Sequence, residues 1–579
     1  MRNLLKYLKK YKRQCILGPL FKFTEALMEL FVPLIVAKIV DVGIKNGDKI
    51  YVYKMGGLLL AIGAAGLSFA VCAQYFAAQA SQGFGTAVRN KLFSHIQSLS
   101  NSEIDKIGTP TLLTRLTSDI NQLQIGVAMT IRLFLRAPFL VVGASIMSFS
   151  IDKKLSLIFF AAAPIIAVII YLIMSRSVPF FKAIQKKLDR ISLITRENLS
   201  GARVIRAFSR QEKEAGRFSK TNDEMLETAV KAGKISSLLN PMATVVMNLA
   251  IIFILWYGGK SVFSGRLSQG EIIALVNYMT QILLALIAVA NLVVIYIKTA
   301  ASIARVNEIF EMKPSVNNNS QTEPEFISRA PKIELRDVSF SYGGEDSLKN
   351  ISFEIKKGET LGVIGGTGSG KSTLVNLLPR LYDIKSGEIL IDGIKISDIP
   401  LNTLRRKIGV VPQKAALFSG TIRDNMLMAS PDASDEEINK ALEISQSKEF
   451  VDKLDDGLDS VVLSGGRNFS GGQKQRLTIA RALALKPEIL ILDDSASALD
   501  FATDAKLRRA IYTFSEGMTV IMVSQRATTL KNADKILVLE NGRAVGLGTH
   551  DKLFECCEIY REICLSQNSQ PDISKKEQS

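Results

Sequence analysis

The chain has 579 residues, too many for one ordinary domain, and its hydrophobic residues, 47% of the total, are unevenly distributed. A net charge of +17 fits either a nucleic-acid-binding protein or a membrane protein with basic inner loops. Because Lys and Arg cluster between and beside long apolar runs, the membrane protein is favoured and nucleic acid is not expected as a partner. Five cysteines with neither metal-site spacing nor a disulfide pattern are consistent with a reducing cytoplasm.

Six apolar segments in the first half are long enough to cross a bilayer, which takes about 20 residues. They lie at roughly 14–40, 54–80, 126–150, 155–175, 238–258 and 271–297. A cleaved signal peptide is the rival interpretation of the basic N-terminus, but the first segment is too long and contains Lys22, Glu25 and Glu29. We therefore expect an all-α membrane domain over residues 1–312, with multiple passes through the cell membrane.

The distribution of basic residues predicts the orientation of these segments. The N-terminus and the stretch 182–217 after the fourth segment are rich in Lys and Arg, whereas the opposite-side connections are short. The N-terminus and the C-terminal half are thus expected in the cytoplasm. The charged stretches 81–125 and 176–237 keep helical periodicity, which predicts cytoplasmic extensions of the spans.

Several ionisable residues fall inside the apolar segments. Lys22, Glu25 and Glu29 share one helical face, and Arg132 and Arg136 are four residues apart. Such groups usually face a cavity or one another, so they either line a cavity for charged or amphipathic substrates or form structural ion pairs. Asp41, at the outer end of the first segment, is either part of an external gate or an interface anchor.

The composition changes after residue 312. Residues 313–331 have the composition of a linker, with Pro, Asn and Ser in abundance. Short β-branched strands then alternate with helices over residues 332–565, which predicts a soluble α/β domain. The polar tail 566–579 is expected to be disordered.

The α/β domain carries a phosphate-binding loop in its full context. An apolar strand at 360–364 runs into Gly365, Gly366, Thr367, Gly368, Ser369, Gly370, Lys371, Ser372 and Thr373. Glycines let backbone amides surround phosphates, the lysine reaches the β and γ oxygens, and Ser372 ligates Mg²⁺. A second apolar strand ends in Asp493, whose carboxylate would complete the Mg²⁺ site. This P-loop NTPase pattern predicts ATP and Mg²⁺ as cofactors.

With these motifs the C-terminal half resembles the ATPase domain of ABC transporters. The resemblance implies that Phe469-Ser470-Gly471-Gly472-Gln473 is the signature sequence that holds ATP bound to a partner domain. It also implies that Tyr342 stacks on adenine, that Gln413 contacts Mg²⁺, and that Ser497-Ala498-Leu499-Asp500 is the loop between the two ATP sites.

The first 310 residues resemble the membrane domain of ABC exporters, with the stretch 197–208 after the fourth span as the main resemblance. The order of membrane domain and ATPase in one chain favours export. The resemblance also implies coupling helices near 104–116 and 207–217, although the basic residues of the second stretch could equally form a solvated face.

Two positions depart from the family pattern. Asp494 occupies the position where the family usually has a catalytic Glu, and Gln525 occupies the position of a His that contacts the γ-phosphate. The shorter aspartate withdraws its carboxylate by about 1.5 Å, and a misplacement near 1 Å can cost about 100-fold in rate. Gln can donate a hydrogen bond but carries no charge.

Because both departures affect hydrolysis and spare binding, we expect the degenerate-site subunit of a heterodimeric exporter of hydrophobic or amphipathic, drug- or lipid-like molecules. Its partner would be a homologous half-transporter with a consensus ATP site. Two alternatives stay open: a homodimer in which Asp494 works slowly, and a non-transporting regulatory subunit or ATP-gated channel.

Overall fold

The computed structural model describes residue 4 and residues 6–317, 330–495, 498–514 and 517–568. The chain divides into two compact units, Met1–Gln97 with Gly108–Met312 and Ser98–Ile107 with Lys313–Ser579. The segment Ser98–Ile107 lies inside the predicted membrane domain but clusters with the second unit.

The first unit is helical throughout its described residues. A 3₁₀ turn at Lys6–Tyr11 precedes the first long helix, and π-helical turns occupy Ile39–Ile44 and Arg115–Asp119. The helices are α1 (Lys12–Lys38), α2 (Lys49–Ser98), α3 (Asn101–Ile107, in the second unit), α4 (Thr109–Thr114), α5 (Ile120–Leu133), α6 (Arg136–Ile151), α7 (Lys153–Ser200), α8 (Ala202–Ala207), α9 (Gln211–Ser237), α10 (Leu239–Phe263) and α11 (Gln269–Glu311).

Within the described residues, five helical stretches are long and apolar enough to cross a membrane: Lys49–Ser98, Thr109–Ile151, Lys153–Ser200, Gln211–Phe263 and Gln269–Glu311. They contain the second to sixth predicted spans. The first predicted span lies on α1, where Lys22, Glu25 and Glu29 lower the hydropathy. A membrane crossing by this first span therefore remains a prediction. At 50 residues, α2 is about 75 Å long, far more than the roughly 30 Å of a bilayer core.

Small side chains form much of the core of the first unit. Ala26, Ala144, Ala250 and Ala274 are fully or almost fully buried in one apolar cluster, which lets helix backbones approach closely. Tyr278 is fully buried in the same cluster, and its hydroxyl donates to the carbonyl of Leu30 at 2.6 Å. This bond ties α11 to α1 without leaving a buried polar group unpaired.

The second unit is a mixed α/β structure. Its sheets run β2-β1-β4-β5, β12-β11-β3-β10-β9-β6 and β7-β8. The strands are β1 (Ile333–Phe340), β2 (Leu348–Ile355), β3 (Thr360–Gly365), β4 (Ser386–Ile391), β5 (Ile394–Lys395), β6 (Ile408–Val411), β7 (Gly420–Thr421), β8 (Val461–Val462), β9 (Ile489–Asp493), β10 (Thr519–Val523), β11 (Lys535–Glu540) and β12 (Arg543–Gly548).

The helices of the second unit, after α3, are α12 (Lys371–Leu377), α13 (Leu401–Lys407), α14 (Ile422–Leu427), α15 (Asp435–Ile444), α16 (Lys448–Val451), α17 (Gly471–Ala484), α18 (Phe501–Phe514), α19 (Ala527–Leu530), α20 (His550–Cys556) and α21 (Glu558–Asn568). Residues 566–568, the start of the predicted tail, are thus helical, and residues 569–579 lie outside the described ones.

The parallel part of the large sheet positions the candidate site. Strands β3, β9 and β10 are completely buried, as expected for a parallel sheet with both faces covered. Val523 at the end of β10 pairs with Val363 of β3 on one side and with Asp493 of β9 on the other. The carboxyl ends of these strands, where α/β proteins bind ligands, therefore meet at one edge.

Candidate nucleotide site

The phosphate-binding loop leaves β3 and enters α12 through glycines that the geometry requires. A Cβ at Gly365 would lie 2.1 Å from the carbonyl oxygen of Leu539 on the neighbouring strand. Gly370, directly before α12, is left-handed with φ of 99°. Any other residue would clash or be strained at these positions, so the sequence pattern and the backbone agree.

Lys371 lies at the centre of this loop. Its ammonium donates to the carbonyl oxygens of Gly365 at 2.9 Å and Gly366 at 2.7 Å, and the residue is only 8% exposed. Burial lowers the pKa of Lys371, while the carboxylates of Asp494 and Asp493 act in the opposite direction. A buried, loop-held ammonium beside two carboxylates is the arrangement expected around Mg²⁺ and the phosphates of ATP.

Ser372 and Asp493 form the candidate Mg²⁺ site. The Ser372 hydroxyl donates to Oδ1 of Asp493 at 3.1 Å, and burial raises the pKa of this carboxyl. Hard oxygen ligands fit Mg²⁺, which proteins often hold through one or two carboxylates with substrate phosphates as further ligands. Within the described residues there is no cluster of three or more His, Cys, Asp or Glu that could hold a metal by itself.

Asp494 has an uncommon backbone conformation. Its φ is 45°, a left-handed value that Asp tolerates better than most residues, and its amide donates to the carbonyl of Val523 at 3.0 Å. Gln413, two residues after β6, donates its amide to Oδ2 of Asp494 at 3.3 Å. The two residues predicted to act in hydrolysis and Mg²⁺ contact are thus neighbours at the same edge of the sheet.

Tyr342 presents an aromatic surface beside α12. The residue is 56% exposed, and its ring packs edge-on against Phe340 and Tyr382, with centroids 4.7 Å and 5.2 Å away. Its hydroxyl donates to the hydroxyl of Thr373 at 3.3 Å. An exposed, fixed ring next to the phosphate loop can stack on a nucleotide base.

The signature sequence begins a different helix. Ser470 is the N-cap of α17, where its hydroxyl accepts from the backbone amide of Gln473 and its own amide donates to Oε1 of Gln473. Phe469 is buried in a cluster with Leu417 and Ile422, apart from the clusters that contain β3 and β9. The backbone amides of Gly471 and Gly472 belong to the first turn of α17, where amides have no helical partner and suit an anion.

Of the predicted inter-site loop, Ser497 lies outside the described residues. Leu499 is buried, Ala498 is exposed, and Asp500 begins α18 by accepting from the amide of Thr503 at 3.0 Å. These backbone hydrogen bonds lower the pKa of Asp500.

Of the five ionisable residues singled out in the first and third predicted spans, Lys22, Glu25, Glu29, Arg132 and Arg136, four form ion pairs. Lys22 contacts Glu25, and Arg136 contacts Glu29, each at 2.6 Å. Nε of Arg132, Nε of Arg136 and Oε1 of Gln281 are buried without a hydrogen-bond partner in the part of the chain that the structure describes. The structural interpretation of these charges is therefore favoured for the pairs, while Arg132 keeps unused donor capacity.

Asp41 connects the ends of two helices. Its Oδ2 accepts from the hydroxyl of Ser268 at 2.5 Å, and its Oδ1 accepts from the amide of Gly270 at 2.8 Å. Ser268 is itself the N-cap of α11. Asp41 thus supplements the cap of α11 from the π-helical turn after α1, and the choice between a gate and an interface anchor remains a prediction.

Sequence reasoning missed two groups. Gln567 of α21 bonds to the backbone on both sides of Arg526, next to Gln525, and nothing in a polar C-terminal stretch signals this. Asp119, which is buried, contacts Arg115, Ser302 and Arg305 and so joins the π-helical turn before α5 to α11. In the sequence, Asp119 is a single Asp between a charged stretch and an apolar segment, a pattern that indicates a helix terminus and not a buried contact.

A helical unit with several membrane-length apolar helices, together with a P-loop nucleotide unit, is the combination typical of ATP-driven membrane transporters. The sequence profile of the ABC transporter transmembrane region matches residues 15–286, and the ABC transporter profile matches residues 348–497.

The relatives cover nearly all of the chain. The uncharacterized ABC transporter ATP-binding protein YfiB of Bacillus subtilis is 38% identical over 569 residues, 98% of each chain. The ATP-dependent lipid A-core flippase of Desulfotalea psychrophila is 33% identical over 470 residues, 81% of this chain and 82% of the flippase. The structure of a bacterial Atm1-family ABC exporter with ATP bound matches with a TM-score of 0.81 over 98% of this chain and 99% of that chain, at 22% identity.

The chain therefore belongs to the ABC transporter family, with a transmembrane region and an ATPase domain fused in one polypeptide. It is a multi-pass membrane protein with the fold of an Atm1-family exporter. The predicted resemblance to ABC transporters is thereby confirmed, and the ATPase domain implies the predicted binding of ATP.

Proposed function

We propose that the protein is the hydrolysis-impaired half of a heterodimeric ABC exporter. The observation that carries the proposal is the composition of the sheet edge: Lys371, Ser372 and Asp493 are assembled for binding, whereas Asp494 and Gln525 stand where hydrolysis needs Glu and His. Random decay would be expected to affect binding residues as well.

In this proposal the residues of the site divide into two sets. Lys371 binds phosphate oxygens, Ser372 and Asp493 would hold Mg²⁺, and Tyr342 stacks on the base. Mg²⁺ supplies charge neutralisation on the phosphates when it is bound. Asp494 has too short a side chain to orient a water molecule as a glutamate would, and Gln413 already donates to its carboxylate.

The partner would complete both composite sites. The signature residues from Phe469 to Gln473 would face ATP held by a homologous half-transporter with Glu and His in place, where most hydrolysis occurs. The loop at 497–500 would communicate between the sites. ATP binding would close the two ATPase domains and turn the membrane cavity outward, and hydrolysis at the partner's site would reset it.

The substrate class is supported by the membrane unit. The N-terminus and ATPase domain would face the cytoplasm, given the basic residues of the inner loops. The lipid A-core flippase among the relatives acts, by its name, on a lipid. Arg132 in the third predicted span, whose Nε is buried without a hydrogen-bond partner among the described residues, suits contact with an ionic head group. We therefore propose export of lipid- or drug-like amphipathic molecules from the cytoplasmic side.

Hydrolysis by the chain alone tests the proposal. The full-length protein in lipid is compared with the double variant Asp494→Glu, Gln525→His for Mg²⁺-dependent ATP turnover and ATP retention. We expect the native chain to retain ATP while turning over well below about 1 per second, a rate typical of enzymes, and the double variant to hydrolyse faster.

The alternatives predict other outcomes. Native turnover at about 1 per second or more would indicate a self-sufficient homodimer and contradict our account of Asp494. A regulatory subunit is distinguished by vectorial transport: in an exporter, transport by the assembled pair stops when the partner's hydrolysis is abolished.

A further inference from the structure

The loop that carries Gln525 is held by a side chain from the C-terminal helix. The carboxamide of Gln567 donates through Nε2 to the backbone carbonyl of Gln525 at 2.7 Å. Its Oε1 accepts from the backbone amide of Ala527 at 2.8 Å. Because a carbonyl needs a donor and an amide needs an acceptor, this orientation of the carboxamide is the only one that satisfies both groups.

Two further hydrogen bonds hold the same loop. The amide of Ser524 donates to Val363 of β3 at 3.1 Å, and the amide of Arg526 donates to the Ser524 hydroxyl at 3.0 Å. The amide of Ala527 is the first in α19, where no helical acceptor is available to it. The Gln525 side chain itself is exposed, so its direction depends on the backbone that Gln567 holds on either side.

Helix α21 is anchored well enough to act as a support. Tyr560 and Cys564 are buried in the same apolar cluster as Ala527 and Leu530, and the Tyr560 hydroxyl lies 2.8 Å from Nδ1 of His550. Tyr560, Cys564 and Gln567 are spaced by four and three residues, so they lie on one helical face. An open pocket of about 370 Å³, lined by Ala527, Cys564 and Gln567 among others, lies beside the start of α19.

We infer that Gln567 is a positioning residue: it holds Gln525 in the orientation that contacts the γ-phosphate, and so sets how strongly this site prefers a triphosphate over a diphosphate. The inference rests on the proposed function in one respect, that Gln525 occupies the position of the family's His and reaches the γ-phosphate from there, and it requires neither a heterodimer nor hydrolysis. Gln567 would act only through Gln525, since its own carboxamide is engaged by the backbone.

The test is equilibrium binding of ADP and of the non-hydrolysable analogue AMP-PNP, with Mg²⁺, to the full-length chain in lipid nanodiscs. In Gln567→Met, which keeps the side-chain length but loses both bonds, we expect the preference for AMP-PNP over ADP to fall about tenfold, with ADP affinity changed less than twofold. Glu562→Met, an exposed change on the same helix, is the matched control and should leave both affinities unaltered.

A double-mutant cycle separates the possible outcomes. Gln525→Ala should also lower the preference, and Gln567→Met should add nothing in that background. Equal weakening of ADP and AMP-PNP in Gln567→Met would indicate general loosening and overturn the inference, as would an unchanged preference. If Gln525→Ala leaves the preference intact, the role of Gln525 is wrong and the positioning role fails with it, whereas heterodimer formation and hydrolysis are decided by the turnover experiment.

Discussion

A buried carboxyl and a buried ammonium lie within the same nucleotide site, and burial shifts the pKa of each toward its neutral form. Asp493 is only 8% exposed, and its pKa is raised by burial although Ser372 donates to it. Burial likewise lowers the pKa of Lys371, because it disfavours the charged ammonium. Both groups are expensive to bury as ions, which is consistent with their being kept for a charged ligand rather than for stability.

Asp493→Asn should therefore increase the stability of the ligand-free protein at neutral pH. Because the folded-state pKa is raised, the stabilising contribution of this carboxyl is present at low pH and is lost as the pH rises through that pKa. Asn can still accept from Ser372 but carries no charge. Thermal unfolding across pH, without nucleotide, would reveal a variant advantage that disappears in acid.

The same variant should lose the stabilisation by Mg²⁺ and ATP. At a nucleotide concentration 100 times its Kd, the wild type should gain about 2.7 kcal/mol, and Asp493→Asn should gain much less. Asp452→Asn, at an exposed position in the same unit, is the control and should stay within about 0.5 kcal/mol of the wild type. Equal stabilisation of Asp493→Asn and wild type by Mg²⁺ and ATP would remove Asp493 from the metal site.

Helices in the first unit depend on close backbone approach at particular points. A Cβ at Gly270, in the first turn of α11, would lie 2.3 Å from the carbonyl oxygen of Ala37 on α1 and 2.6 Å from Oδ2 of Asp41. The amide of the same residue donates to Asp41. The glycine thus permits both the packing of α1 on α11 and the added cap.

Gly270→Ala should destabilise the protein by about 1–3 kcal/mol, because backbone rather than a flexible side chain meets the new methyl group. Gly259 in α10 is the matched control, since nothing lies within 4 Å of its added Cβ. Gly259→Ala should be neutral or stabilising by up to about 1 kcal/mol. Thermal unfolding of both variants in detergent micelles measures the difference, and equal stability would contradict the close approach.

At the scale of the whole molecule, the segment Ser98–Ile107 clusters with the ATPase unit while its chain neighbours on both sides belong to the membrane unit. Asp105 of α3 accepts from the hydroxyl of Tyr382 at 2.5 Å, and Tyr382 packs against Tyr342. This segment overlaps the predicted coupling helix near 104–116 at residues 104–107 and follows the long helix α2 in the chain. It is therefore a candidate for carrying the state of the nucleotide site to the membrane unit.

Tyr382→Phe should weaken coupling without weakening nucleotide binding. The variant keeps the ring that packs against Tyr342 but loses the hydrogen bond from the Tyr382 hydroxyl to the Asp105 carboxylate. Because this bond is charge-assisted, its loss can change the equilibrium constant for docking of α3 about tenfold. We expect ATP affinity within twofold of the wild type and a reduced stimulation of ATP hydrolysis by transported molecules in the assembled transporter. Tyr512→Phe, distant in sequence and on α18, serves as the control. Unchanged stimulation would exclude this bond from coupling.

Motifs with a local physical cause could be predicted from the sequence. The phosphate loop depends on glycines and a lysine at set spacing, and the end of an apolar strand in Asp493 is a local pattern too, so both were placed without tertiary information. The length of the apolar runs likewise predicted six membrane spans, and five of them lie in described helices that are long and apolar enough to cross a membrane. The domain order and the ATPase fold follow from the same signals.

The tertiary structure alone decided which polar groups meet across large sequence separations. Asp41 with Gly270, Asp119 with Arg305, Asp105 with Tyr382 and Gln525 with Gln567 are joined only because distant helices and loops pack together. Sequence spacing carries no information about such pairs, since a single polar residue has the same local pattern whether it is solvated or buried against a partner. The sequence by itself thus determined the family, the binding of ATP and the helical membrane unit, and the packing determined which distant polar groups meet within each unit.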